Sequence, residues 1–153
     1  MTDDHEVIHH TFTIERIYKA PPERVFAAHA DPAAKRRWLA EGPGFDVTQY
    51  DLDFRVGGLE TSRFTAGGAV ELTYDAVYQD IVPDRRIVFA YAMSMAGNPL
   101  SVSLATTQLF PEGTGTRLVF TEQGAYFGGP DDVAGREEGS RGILERLAEE
   151  IGG

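Results

Sequence analysis

Apolar and polar residues alternate with a period of two along much of the chain, which predicts β-strands rather than long helices. The first such run predicts a strand around 12–18. Glycine- and proline-containing turns then divide the middle of the chain at nearly regular intervals into six more strands. In one of them Ile87, Phe89 and Tyr91 share a face. Short turns between consecutive strands predict an antiparallel meander.

Two local signals refine this pattern. Pro21-Pro22 and Asp31-Pro32 each mark the start of a short helix after the first strand, because proline loses no hydrogen bond at the first helical position. Asp31 can cap the second of these helices. The apolar positions change from odd to even numbers near Thr48-Gln49, which predicts a β-bulge that bends the sheet.

The last segment predicts a long helix over 131–151, with an acidic start at Asp131-Asp132 that favours the helix dipole. Three glycines lie inside it, although each costs about 1 kcal/mol relative to alanine: Gly135, Gly139 and Gly142. We expect the helix to lie across the concave face of the bent sheet, with a gap left where the glycines thin it.

The composition limits the classes of protein to which this chain can belong. The chain has 153 residues, no cysteine, and 24 acidic against 14 basic residues, a net charge of −10. One domain over 1–153 is expected, with 1–10 as a flexible leader. The chain start lacks a secretion signal and no apolar run could span a bilayer, so a cytoplasmic protein without stable membrane insertion is expected. The negative charge argues against nucleic-acid partners.

Several short motifs follow one another in a specific order. They are Pro22-Glu23-Arg24-Val25-Phe26, Asp31-Pro32 with Trp38 seven residues after Asp31, Phe54-Arg55-Val56-Gly57-Gly58, Ile81-Val82-Pro83-Asp84-Arg85-Arg86-Ile87, Gly115-Thr116-Arg117-Leu118, Thr121-Glu122-Gln123-Gly124 and Glu137-Glu138-Gly139. In this order the chain resembles the START-like (SRPBCC) superfamily, and within it the family named after the activator of the 90-kDa heat-shock protein ATPase.

The resemblance implies an α+β helix-grip fold, in which a bent antiparallel sheet of about seven strands wraps around a long C-terminal helix. It also implies a cavity between helix and sheet that relatives use for small apolar or amphipathic molecules, and that a few use to cyclise or dehydrate polyketides. Many relatives carry tryptophan where this chain has Ser140. A co-chaperone role is not expected, because the chaperone activator has an additional domain.

Glu122 is the strongest candidate for polar chemistry, because it continues the face of Leu118 and Phe120 towards the interior. It could exchange protons with a substrate, or it could pair with a neighbour such as Arg136 and hold the strand to the helix. His29 shares a helix face with apolar residues and could be either catalytic or a hydrogen-bonded core residue. Four polar residues lie on strands whose inward face is not fixed by alternation: Glu60, Arg63, Glu71 and Gln108.

Other polar features predict no cofactor and no metal site. Lys35-Arg36-Arg37 is expected to be a solvated face. His5, His9 and His10 lie in the polar leader, where a metal site is not expected. The glycine pairs do not follow phosphate-loop spacing, and they fit hairpin turns better.

The remaining site prediction is a set of aromatic and apolar residues that could line the cavity together with Glu122: Trp38, Tyr50, Tyr74, Tyr91, Met93, Tyr126 and Phe127. Binding of a small apolar or amphipathic molecule is therefore the leading hypothesis, and a binding protein is favoured over an enzyme. The alternatives are a cyclase or dehydratase using Glu122 or His29, and a chaperone-associated interaction domain with an apolar groove. The sequence leaves open whether the chain forms a homodimer.

Overall fold

The computed structural model describes residues 6–68, 70–128 and 133–153. Its strands are β1 Ile8–Tyr18, β2 Phe45–Leu52, β3 Leu59–Ala66, β4 Val70–Val82, β5 Arg86–Met95, β6 Asn98–Glu112 and β7 Gly115–Tyr126. Its helices are α1 Pro22–Ala30, α2 Pro32–Lys35 and α3 Val133–Ile151, and a π-helical turn at Arg36–Ala40 follows α2.

The seven strands form one antiparallel sheet in the order β1-β7-β6-β5-β4-β3-β2. Strands β2 to β7 are consecutive hairpins, which confirms the predicted meander. β1 pairs with β7 along its whole length, from Ile8 opposite Tyr126 to Tyr18 opposite Thr116. The helix-grip α+β fold is therefore confirmed.

The start of β1 corrects one boundary. Ile8, His9 and His10 pair with the end of β7, so the flexible leader predicted over 1–10 is too long. His5 and the rest of residues 1–5 lie outside the described residues, as do the predicted helix caps Asp131 and Asp132.

Two local predictions are confirmed. The β2–β3 register shifts between Val47 and Gln49, so a bulge lies where the apolar pattern changes phase. The Asp31 side chain accepts a hydrogen bond of 3.2 Å from the Ala33 amide and caps α2.

Apolar packing fixes only the C-terminal half of α3. Leu144, Leu147 and Ile151 pack with β1, β7 and the short helices in the main core, where Leu147 is fully buried. Burying one such leucine contributes roughly 1.5–3 kcal/mol. Tyr18 adds a hydrogen bond of 2.9 Å from its hydroxyl to the Leu144 carbonyl. The N-terminal half of α3 faces a second, smaller cluster around Tyr91, and most of the open space lies there.

Candidate functional site

A cavity of about 570 Å³ lies between the N-terminal half of α3 and strands β2 to β6, and we call it the outer cavity. Its walls are mainly apolar and aromatic. They are formed by Leu39, Ala40, Phe45, Ser62, Phe64, Ala66, Leu72, Tyr74, Tyr91, Met93, Met95, Leu100, Gly135, Arg136, Gly139, Ser140, Gly142, Ile143 and Arg146. This volume falls within the range of small-molecule sites, roughly 300–1,000 Å³.

The helix glycines explain why this space stays open. A Cβ atom added at Gly139 would meet no heavy atom within 4 Å, and one at Gly142 would meet only the Nη1 atom of Arg146, at 3.8 Å. Gly135 also lines the outer cavity. The three glycines therefore lie where α3 borders the outer cavity, and none of them contributes a side chain to it.

A smaller, deeper cavity of about 80 Å³ continues below Tyr74, Tyr91 and Ser140, which line both spaces. We call it the inner cavity. Its further lining includes His29, Lys35, Trp38, Phe89, Thr107, Phe120, Glu122 and Leu144. It has room for a few water molecules or for one end of a ligand.

Glu122 and Arg136 form a buried ion pair, with 3.1 Å between Oε2 of the carboxylate and Nη1 of the guanidinium. The Tyr91 hydroxyl donates to Glu122 at 2.7 Å, and the Ser103 hydroxyl donates to it at 3.1 Å. Burial, more than the adjacent carboxylate, raises the pKa of Tyr91. The structure thus shows the pairing alternative for Glu122, which joins α3 to β5, β6 and β7.

A second buried ion pair was missed by the sequence analysis. Lys35 is only 3% exposed, and its Nζ lies 3.0 Å from Oε1 of Glu60, which is fully buried. Lys35 also donates to the Tyr78 hydroxyl at 2.9 Å, and Tyr78 and Tyr50 both donate to Glu60. Lys35 is therefore not part of a solvated face.

The environment of Lys35 keeps it charged. Burial lowers its pKa, but the attraction of Glu60 and the hydrogen bonds with Glu60 and Tyr78 outweigh burial and raise the pKa overall. The signal in the sequence was the helical spacing, which places Lys35 on the same side of its helix as Trp38, three residues later.

His29 faces the inner cavity as a neutral ring. Its Nδ1 donates to the Val25 carbonyl at 2.9 Å, and the ring packs edge-on against Trp38 with 4.9 Å between centroids. Burial, reinforced by the positive charge of Lys35, lowers the pKa of His29 to about 3. Nε2 is left as a hydrogen-bond acceptor.

The residues predicted to line a cavity divide into two groups. Five of them line a cavity: Met93 lines the outer one, Trp38 and Glu122 line the inner one, and Tyr74 and Tyr91 line both. The other three, within the part of the chain described, lie outside the walls of both cavities: Tyr50, Tyr126 and Phe127.

Two of these residues have structural partners instead. Tyr126 is the last residue of β7, and its hydroxyl lies 3.4 Å from Oε2 of Glu122. Tyr50 donates its hydroxyl to Glu60.

Arg146 is a cavity residue that no motif indicated. Its Nε donates to the Trp38 carbonyl at 3.1 Å, and its guanidinium lies against Gly42. A Cβ at Gly42 would come within 2.8 Å of both Cζ and Nη2, so only glycine leaves the guanidinium this position.

The family model described as "Activator of Hsp90 ATPase homolog 1-like protein" matches residues 19–152. The chain belongs to this family. The resemblance found in the sequence motifs is therefore confirmed. No curated protein matches the chain.

Solved structures of family relatives agree with this fold. A protein from Rhizobium loti is 57% identical, with a TM-score of 0.88 and coverage of 95% of this chain and 99% of that one. A protein from Rhizobium leguminosarum is 39% identical, with a TM-score of 0.91 and coverage of 95% and 96%. The AHSA1-like protein from Aeromonas hydrophila shares the fold at 21% identity, with a TM-score of 0.70 and coverage of 93% and 92%.

No helix within the described residues is both long and apolar enough to cross a membrane.

Proposed function

We propose that this member of the family binds a small apolar or amphipathic molecule in the outer cavity. The observation that carries the proposal is a space of about 570 Å³ between α3 and the sheet, which coincides with three helix glycines and is walled mainly by apolar side chains. The inner cavity extends this space towards polar groups. A molecule with an apolar body and a polar end fits both parts.

The ion pairs at the edges of this space support binding in a preformed site. Arg136 joins the first turns of α3 to the sheet through Glu122, and Lys35 joins α2 to the sheet through Glu60. Both pairs are buried, so they hold the helices at a fixed distance from the sheet. A preformed site spares the ligand the cost of ordering its walls.

Apolar contact alone gives modest affinity. Burying about 250 Å² of apolar ligand surface contributes roughly 6 kcal/mol before the cost of association is subtracted. Polar groups on the walls are therefore needed for tight binding. Tyr74 and Ser140, which face both cavities, are the candidate anchors.

The cyclase or dehydratase alternative has weaker support. His29 does lie on the inner wall, but its pKa of about 3 makes it a poor base near neutral pH. Both oxygens of Glu122 already accept hydrogen bonds, from Tyr91, Ser103 and Arg136. Catalysis by either residue would require these contacts to change.

The interaction-domain alternative ranks last. Exposed apolar residues lie on the outer face of the sheet, among them Leu59, Val77, Val102 and Leu104. They are separated from the outer cavity by the sheet itself. Nothing about these residues indicates what would cover them.

The test is binding of a neutral fluorescent probe, N-phenyl-1-naphthylamine, whose emission rises in apolar surroundings. We expect saturable binding to the native chain. Gly139→Leu should weaken binding by narrowing the gap, whereas the matched control Gly139→Ala should bind the probe and also unfold at a higher temperature, because alanine favours the helix. Equal probe binding by Gly139→Leu and the native chain would refute the proposal.

A further inference from the structure

Besides Tyr74 and Tyr91, the walls of the two cavities carry five ionisable groups: His29, Lys35, Glu122, Arg136 and Arg146. Four of these groups are neutral or have their charge balanced within the protein, so they need no charged ligand. Lys35 is paired with Glu60, Arg136 with Glu122, and His29 is neutral because it is buried. Their summed charge with these partners is zero.

Arg146 is different. In the described part of the chain no carboxylate forms an ion pair with it, although the protein has ten more acidic than basic residues (24 − 14). The nearby acids of α3 are engaged elsewhere, since Glu145 pairs with Arg16 and Glu150 pairs with Arg37. Glu149 is exposed and acts on Arg146 only through space.

The position of the Arg146 guanidinium is fixed. Nε is used by the Trp38 carbonyl, and one face of the group lies on Gly42. Arg146 also lines the outer cavity, and within the described residues its Nε is the nitrogen that donates a hydrogen bond. Partial burial lowers the pKa of Arg146, and the attraction of Glu149 offsets only part of this effect. A fixed guanidinium fork matches the two oxygens of a carboxylate or phosphate.

We propose that Arg146 binds the anionic head of an amphipathic ligand, a carboxylate or a phosphate, while the apolar part of that ligand occupies the outer cavity. This inference rests on the proposed function and narrows its ligand class. Fatty-acid-like and alkyl-phosphate-like molecules share the required chemistry. A cationic amphiphile would meet Arg146 as a like charge and is excluded.

The experiment measures dissociation constants for dodecanoate, dodecyl phosphate, dodecanol and dodecylamine by displacement of N-phenyl-1-naphthylamine. These four ligands carry the same dodecyl tail and differ only in the head group. We expect at least one of the two anions to bind about tenfold more tightly than dodecanol, since a charge-assisted hydrogen bond is roughly twice as strong as a neutral one. The anion with the lower dissociation constant identifies which head group, carboxylate or phosphate, the site prefers.

Three variants locate the effect. Arg146→Gln should remove the preference for the anion by weakening anion binding more than dodecanol binding, while Arg146→Lys should restore part of the preference. Gly42→Ala should weaken anion binding without removing the charge, because the added Cβ displaces the guanidinium. Arg141→Gln is the matched control, since Arg141 lies on the same helix but is paired with Glu137.

The outcomes separate this inference from the proposed function. If dodecanol and the anions bind equally, or if Arg146→Gln keeps the preference for the anion, Arg146 is not the anion site although the cavity binds ligands. If none of the probes binds, the proposed function fails and this inference with it. Melting curves for each variant establish that a lost preference is not a lost fold.

Discussion

Removing one member of the buried Lys35–Glu60 pair should destabilise the protein far more than removing a surface pair. Lys35→Met keeps the length of the side chain but leaves the Glu60 carboxylate in a fully buried position with only the hydroxyls of Tyr78 and Tyr50 as donors. Removing one partner from a buried pair typically costs about 3–5 kcal/mol, because the other charge is left uncompensated.

The structure sets the size of this effect. Lys35 and Glu60 are 3% and 0% exposed, so water can replace little of the lost interaction. A loss of 3–5 kcal/mol should lower the melting temperature by roughly 6–20 °C for a domain of this size. The comparison is Arg86→Met, which breaks an exposed pair with Asp80 and should cost about 0–1 kcal/mol.

The assay is urea unfolding followed by circular dichroism at constant pH. With a slope of about 2 kcal/mol per molar urea, Lys35→Met should lower the midpoint by roughly 2 M. The double variant Lys35→Met/Glu60→Gln removes both charges and retains an acceptor for the tyrosine hydroxyls. We expect it to recover more than half of the loss, because the uncompensated charge is gone.

Two results would refute this reasoning. A cost for Lys35→Met no larger than that of Arg86→Met would mean that the pair contributes as little as a surface pair. A double variant as unstable as the sum of its single variants would mean that Lys35 and Glu60 are not coupled.

Three further predictions concern single side chains. Because the pKa of His29 is about 3 in the folded state and 6.5 in the unfolded state, the unfolded chain binds the extra proton between these values; stability falls as the pH drops below 6.5, by about 2–3 kcal/mol at about pH 4.5. His29→Gln should flatten this slope in urea titrations, and an unchanged slope would contradict the assignment. Ser140→Trp should fill the junction of the two cavities and abolish probe fluorescence while circular dichroism stays native; retained binding would place the ligand elsewhere. Tyr18→Phe should cost about 1–2 kcal/mol in thermal unfolding, because the Leu144 carbonyl loses its buried donor, and no change in melting temperature would show that this carbonyl finds another partner.

The order of elements could be predicted from the sequence because each strand and helix carries its own local signal. Turn residues separate the strands, and the bulge near Thr48-Gln49 shows as a change of phase in the apolar pattern. The helix glycines predicted space, because their cost within a helix calls for an explanation in the packing. The family motifs added the arrangement of helix over sheet.

The charged groups were harder to place, for a physical reason. Glu122 could be assigned to the inner face because Leu118 and Phe120 fix the face of its strand. Glu60 lies on β3, whose alternation did not identify an inner face, and its partner Lys35 lies 25 residues earlier. Pairs that are distant in sequence depend on how the layers pack, which local patterns do not encode.

The bulge in β2 divides this edge strand into two parts with different attachments. Beyond the bulge, Tyr50 is tied by its hydroxyl to the buried Glu60, whereas Phe45 before the bulge forms part of the outer cavity wall. Local opening of a sheet starts where few buried contacts oppose it. Amide hydrogen exchange should therefore be faster around Phe45 than around Tyr50, which gives the two parts of one strand different local stabilities.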